Sequence, residues 1–359
     1  MRVRRVILLL AAVWLLGGQA WAAEIPREVL EAAPEVSGFL SEEPEEGFGL
    51  VQGVKEIVSD AIREWKSAIF AGIRSTAAIM AGVILLGAVE SAAPVGRETL
   101  TKYSSVVGAL WITAMASGDL NALIGLGRET ISEIGVLTKT FLPALAAAEA
   151  ASGGVSAAAA RQVAAVFFAN VLLSVIEGVL LPAVYLYIGT AAAGAVVEGE
   201  ALERIGELLK KGIGWVLGGL LTLFMMYLTI SGAIAGSADA HAVKVAKTAV
   251  SAAVPVVGGI LSEAVESVLA GAGVLRGMIG TLGTLALLGA CVTPFLRLGT
   301  QYLFYQAASL VSAAAGPAKL TKLIAMLGDA FMLVLAMTGA AAVLMLVSVL
   351  SSVAAVAPG

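Results

Sequence analysis

Cysteine and histidine are almost missing from this chain: Cys291 and His241 are the only ones in 359 residues. A single thiol forms no internal disulfide, and thiolate metal sites need several ligands. One imidazole without Cys, Asp or Glu at ligand spacing makes no metal centre, so His241 reads as a polar residue near a helix end. Charge is scarce as well. Asp, Glu, Lys and Arg supply 13% of the residues, where an ordinary soluble domain has roughly 25%. The net charge of −4 offers no cationic surface for nucleic acid. The chain has no G-x-x-x-x-G-K-[ST] phosphate loop, no H-E-x-x-H and no G-x-S-x-G. Gly125-Leu126-Gly127 is too short to be a nucleotide fingerprint. These absences leave no metal, no cofactor and no catalytic residue to expect, and the protein is read as a non-enzyme.

What is present is hydrocarbon. Apolar residues make up 59% of the chain and the mean hydropathy is +0.95. They gather in runs such as 212–236 and 331–357, each long enough to cross a hydrocarbon layer of about 30 Å. The expected fold is all-α: a polytopic membrane protein of about six to eight membrane helices with broken or re-entrant segments, following a signal peptide.

Three regions follow from the pattern. Residues 1–22 read as a signal peptide, with Arg2, Arg4 and Arg5, an apolar run over 6–16, and Ala20-Trp21-Ala22 before a cleavage point between Ala22 and Ala23. An uncleaved anchor is the alternative, and both readings put the next segment outside the cytoplasm. Residues 23–67 are acidic and contain Pro26, Pro34 and Pro44. Within 50–70, Val51, Val54, Ile57, Val58, Ile62, Trp65 and Ile69 recur at helical steps, predicting an amphipathic helix on or entering the membrane surface. Residues 68–359 are the multi-span body.

Spans are expected at 69–89, 103–117, 212–236, 277–296 and 328–357. Residues 120–136 segregate Leu120, Leu123, Ile124, Ile131 and Ile134 from Arg128, Glu129, Ser132 and Glu133, the pattern of an interfacial helix before a further apolar stretch at 136–151. Residues 162–197 are too long for one straight span, so a bend at Pro182 or two half-helices is expected. Residues 198–211 read as a charged loop or short surface helix. Tyr302, Phe304 and Tyr305 beside Arg297, Lys319 and Lys322 read as a water–lipid boundary. Gly214/Gly218, Gly232/Gly236 and Gly273/Gly277 have G-x-x-x-G spacing, read as close packing inside the chain, with a dedicated dimer face as the alternative.

Chemistry is most plausible at 237–273. His241, Lys244, Thr248 and Ser251 share a helix face with Lys247 beside it. Val254-Pro255-Val256-Val257-Gly258-Gly259 interrupts, because proline removes a backbone donor and the glycines permit otherwise closed φ angles. A second helix then presents Ser262, Glu263, Glu266 and Ser267. Each charge costs at least about 2.5 kcal/mol at the bilayer centre. One reading is a broken-helix hairpin lining a polar conduit; the other is an interfacial hairpin with its charges among headgroups or paired. Glu177, alone between apolar residues, is a second candidate: a conduit group, or a tie to a neighbouring helix.

Lys247 followed by Val254-Pro255-Val256-Val257-Gly258-Gly259-Ile260-Leu261-Ser262-Glu263-Ala264 resembles the most distinctive stretch of the stage III sporulation protein AE family. Leu142-Pro143, Gly153-Gly154, Leu181-Pro182, Trp215-Val216-Leu217-Gly218, Pro294 and Tyr305-Gln306-Ala307-Ala308 are similar too. The resemblance implies a role in endospore development, in the mother-cell membrane around the forespore. It implies a subunit of a channel or secretion-like complex whose partners, besides membrane lipid, are the other stage III A proteins, including a cytoplasmic ATPase and ring-forming subunits, and stage II sporulation protein Q. It transfers no catalytic residue. A stand-alone secondary transporter of a small solute or ion, with Pro255 and Glu177 at its site, is the alternative.

Overall fold

Long apolar runs with few helix breakers satisfy their backbone groups internally as helices, the only open-ended solution in lipid. The computed structural model describes residues 50–92, 97–151, 155–197, 201–253 and 258–354, with the side chains of 50–54, 56, 67, 97–101, 156, 157, 231–275, 315 and 354 outside that description. Among the described residues there is no strand. The helices are α1 (Leu50–Ala92), α2 (Arg97–Ala151), α3 (Val155–Val175), a π turn (Ile176–Leu180), α4 (Leu181–Val196), α5 (Ala201–Ala253), α6 (Gly258–Ala315) and α7 (Ala318–Ala354). Six helical stretches are long and apolar enough to cross a membrane, so the chain is a multi-pass membrane protein. The signal peptide with its Ala22/Ala23 cleavage point and the proline-containing acidic stretch lie outside the described residues.

Several expected boundaries dissolve into longer helices. The amphipathic segment and the first span are one helix, α1. The expected span at 103–117, interfacial helix at 120–136 and apolar stretch at 136–151 are likewise one 55-residue helix, α2. Polar residues do not interrupt backbone hydrogen bonding, and the buried face of Leu120, Ile124, Ile131 and Ile134 continues unbroken into the core. At about 82 Å, α2 is far longer than a hydrocarbon layer of about 30 Å, and Arg128, Glu129, Glu133 and Lys139 are exposed along its middle. Near Pro182, where a bend or two half-helices are expected, the helix runs on through the π turn. The proline stands at the start of α4, where its missing N–H is accommodated by one widened turn. Residues 201–211 of the charged segment are the first turns of α5.

Neighbouring helices form hairpins. α2 and α3 pack antiparallel, with Gly135 against Leu173 and Glu149 against Arg161. α6 and α7 turn at Gly316-Pro317, with Gly280 against Val353 and the rings of Tyr305 and Phe331 5.1 Å apart. α1 runs parallel to α6: Glu64 faces Arg297, Trp65 bonds to Thr300, Gly72 abuts Gln301 and Phe304, and Val83 abuts Gly316. α7 is the central helix, 61% buried over its most apolar window against 22% for α1 and α5. The outer surface carries Trp215, Phe70, Leu310 and Leu208, as lipid contact requires.

Close approach depends on glycines other than the G-x-x-x-G pairs. A Cβ at Gly108 would lie 2.2 Å from Leu320, and one at Gly127 2.2 Å from Val334. At Gly214, Gly218 and Gly277 a Cβ would meet no described atom within 4 Å. These three are therefore not packing faces inside the chain, which corrects that reading of their spacing.

Candidate functional site

The described residues most unlike their surroundings are two carboxylates inside the bundle. Asp119, on α2, accepts hydrogen bonds on Oδ2 from Ser75 Oγ of α1 at 2.7 Å, and from Gln301 Nε2 at 2.7 Å and Tyr305 OH at 3.3 Å, both of α6. No ion pair reaches it from the described residues. Its negative charge is met by three neutral dipoles from two neighbouring helices. Gly72 makes this geometry possible, because a Cβ there would stand 2.6 Å from Gln301 Oε1.

Asp329, on α7, forms the second node. Its Oδ2 accepts from Lys210 Nζ of α5 at 2.7 Å and from Tyr187 OH of α4 at 3.4 Å. Its Oδ1 accepts from Gln306 Nε2 of α6 at 3.3 Å. Tyr305 and Gln306 are consecutive in the chain, so α6 holds one carboxylate on each side of a single turn. Tyr305 is fully buried and bonded to Asp119, which corrects its reading as a boundary aromatic; the boundary cations Lys319 and Lys322 are exposed.

A third polar group lies where α2 turns into α3. Glu149 pairs with Arg161, and Arg276 of α6 donates through Nη2 to the Val353 carbonyl at 3.1 Å. All three are nearly fully buried, at 1%, 8% and 5% exposure. At the opposite end, a cavity of ≈ 250 Å³ is lined by Thr190, Gly194, Glu203, Lys319, Lys322 and Met326, with Lys322 paired to Glu203.

These arrangements bind helices to one another. A carboxylate that collects donors from two or three neighbouring helices fixes their rotation and depth, since each donor reaches it in only one register. No group of three or more His, Cys, Asp or Glu able to hold a metal occurs among the described residues. Cys291 is buried.

The residues singled out from sequence are placed as follows. Lys244 and Lys247 belong to α5, and Gly258, Gly259, Ser262, Glu263 and Glu266 open α6; the helices stop at Ala253 and resume at Gly258. Pro255 lies in the intervening stretch outside the described residues, as do the side chains of the lysines, Ser262 and the two glutamates. Glu177 sits in the π turn, is exposed, and takes part in neither carboxylate node. Asp119 and Asp329 were missed, although the rule that picks Glu177, an isolated acid in an apolar run, picks them too.

The family model for stage III sporulation protein AE matches residues 48–356. A curated relative, stage III sporulation protein AE of Bacillus subtilis (strain 168), is 22% identical over 215 residues, which are 60% of this chain and 54% of the relative's length. The match therefore spans about half of that relative. No solved structure matches. With 48–356 covering most of the chain and all six membrane stretches, this protein belongs to the stage III sporulation protein AE family.

Proposed function

We propose that the chain is a non-enzymatic membrane subunit of a stage III A assembly that joins mother cell and forespore and is needed for endospore development. The family match carries the sporulation role. The observation that favours a subunit over a self-sufficient machine is the state of the interior carboxylates. Asp119 and Asp329 are engaged by donors from neighbouring helices, as in a rigid body that others act upon. Energy then comes from a partner, and the expected partners are the other stage III A proteins, among them a cytoplasmic ATPase and ring-forming subunits, with stage II sporulation protein Q from the forespore side. The site is the mother-cell membrane around the forespore, with the N-terminal segment outside the cytoplasm. Lys244, Lys247, Ser262, Glu263 and Glu266, flanking the Pro255 break, are the proposed conduit-lining set. Affinity purification from sporulating cells in mild detergent tests the proposal. Stage III A proteins should co-purify, and recovery of the chain alone contradicts it.

One observation favours the transporter reading. Tyr187, Asp329, Gln306, Tyr305 and Asp119 form a line of polar groups through three helices and onto a fourth. Reconstitution separates the two: a transporter moves solute alone in liposomes, and a subunit does not.

A further inference from the structure

In lipid, a polar side chain with no partner in its own chain has to find one outside it. Asn170, Ser174 and Glu177 follow one another at steps of four and three on α3 and its π turn, so they form one stripe, and all three are exposed. No described residue hydrogen-bonds to the side chain of any of them, and none forms an ion pair with Glu177. Exposed Ser117, Thr222 and Thr229, by contrast, donate to carbonyls of their own helices.

The stripe is also central. Glu177 stands nineteen residues from each end of the apolar segment Ala158–Val196 and is its only charged residue beyond Arg161. About 28 Å of helix separates it from either end, so in a hydrocarbon layer of about 30 Å centred on this segment the headgroups begin about 15 Å away, beyond the reach of a glutamate side chain. Around it Phe167, Val179 and Leu186 are 59%, 59% and 63% exposed, an apolar surround fit for lipid or another helix. Gly178, beside it, has open space where a side chain would stand, so a neighbouring helix can approach closely.

We propose that this stripe docks a transmembrane helix of another protein, one that presents a lysine or arginine opposite Glu177. Charge decides the occupant. A second copy of this chain docked through the same stripe brings a second carboxylate to the contact, and lipid tails bring no donor at all. A basic group meets Glu177, with Asn170 and Ser174 left to bond its backbone or flanking polar residues. The inference rests on the membrane-subunit reading and names a surface through which such a subunit is held.

The test uses the full chain, acceptor-labelled, in phosphatidylcholine vesicles. The probe is a donor-labelled leucine–alanine transmembrane peptide with one central lysine, compared with the same peptide carrying a central leucine. Interhelical polar contacts are worth about 1–2 kcal/mol, so the lysine peptide should associate roughly tenfold more tightly. That preference should vanish in Glu177→Gln and turn toward a central-glutamate peptide in Glu177→Lys. Both substitutions lie on the outer surface, and an unchanged gel-filtration profile confirms the fold. Equal binding of the lysine and leucine peptides, or a preference that survives Glu177→Gln, overturns the proposal. Energy transfer between copies that Glu177→Gln abolishes assigns the stripe to self-association and also overturns it. So does modification of Ser174→Cys, in a Cys291→Ala background, by a charged water-soluble maleimide, which would show a wet face. None of these outcomes depends on sporulation, so failure here leaves the family role standing.

Discussion

Tyr305 of α6 and Asp119 of α2 lie 186 residues apart in the chain, and the tyrosine hydroxyl donates to the Asp119 carboxylate at 3.3 Å inside the helix bundle. With Gln301 and Ser75 sharing the same oxygen, this contact sets the depth of three helices against one another.

Asp119→Ala should destabilise the purified protein by about 2–4 kcal/mol, because it strands three donors. Tyr305→Phe removes one weaker bond and should cost about 1 kcal/mol. Thermal unfolding in mild detergent reads both. The double variant should cost less than the sum by at least about 0.5 kcal/mol, as expected for residues in contact. Additive losses would mean the two do not interact.

Asp329 and Lys210 should behave unequally. Lys210 is about half exposed, so Lys210→Ala should cost under about 1 kcal/mol, and the cost should shrink as salt is raised. Asp329→Ala also strands the Tyr187 hydroxyl, leaves Gln306 only its 3.5 Å bond to the Ala325 carbonyl, and should cost more than twice as much. Equal losses in parallel unfolding measurements would contradict the node.

Glu149→Gln should be among the most damaging single changes, at about 3–5 kcal/mol, because it leaves the Arg161 and Arg276 cations buried together. Replacing Glu149 and Arg161 together by methionine should recover part of that loss in the same unfolding assay. A double variant worse than the single one would show that the pair itself, not the uncompensated charge, is what matters.

Glycines divide by what surrounds them. Gly127→Val and Gly108→Val place methyl groups into Val334 and Leu320 and should lower expression and cost about 1–3 kcal/mol or more. Gly214→Ala and Gly218→Ala meet open space and should leave the stability of the isolated chain unchanged or slightly raised. The reverse order in a melting series would mean that the G-x-x-x-G pairs, and not the tight positions, hold the bundle.

The helical membrane body was legible in the sequence because lipid leaves a long apolar run little choice but to be a helix. The helix ends were harder to read. Residues 118–135 of α2 carry charge but no proline, and their four glycines do not stop the helix, so polarity was taken for a boundary although the backbone continues. The G-x-x-x-G pairs failed for a related reason: spacing marks a small face, and only the neighbours decide whether that face is used. Tyr305 shows the same limit, since an aromatic near cations marks an interface only when its hydroxyl is not taken by a carboxylate from another helix. Glu177 was visible as an isolated acid, but its outward aim depended on the register of α3 and the π turn.

Hydrogen exchange of the full chain in lipid nanodiscs tests the central claim, that six apolar helices form a membrane body built around α7 and its carboxylate ties. Peptides from 318–353 and 276–314, including those around Asp329 and Tyr305, should exchange most slowly, and Asp119→Ala should loosen the α6 peptides. Rapid exchange over 318–353, or full recovery of the protein as a single species in buffer without lipid or detergent, would contradict it.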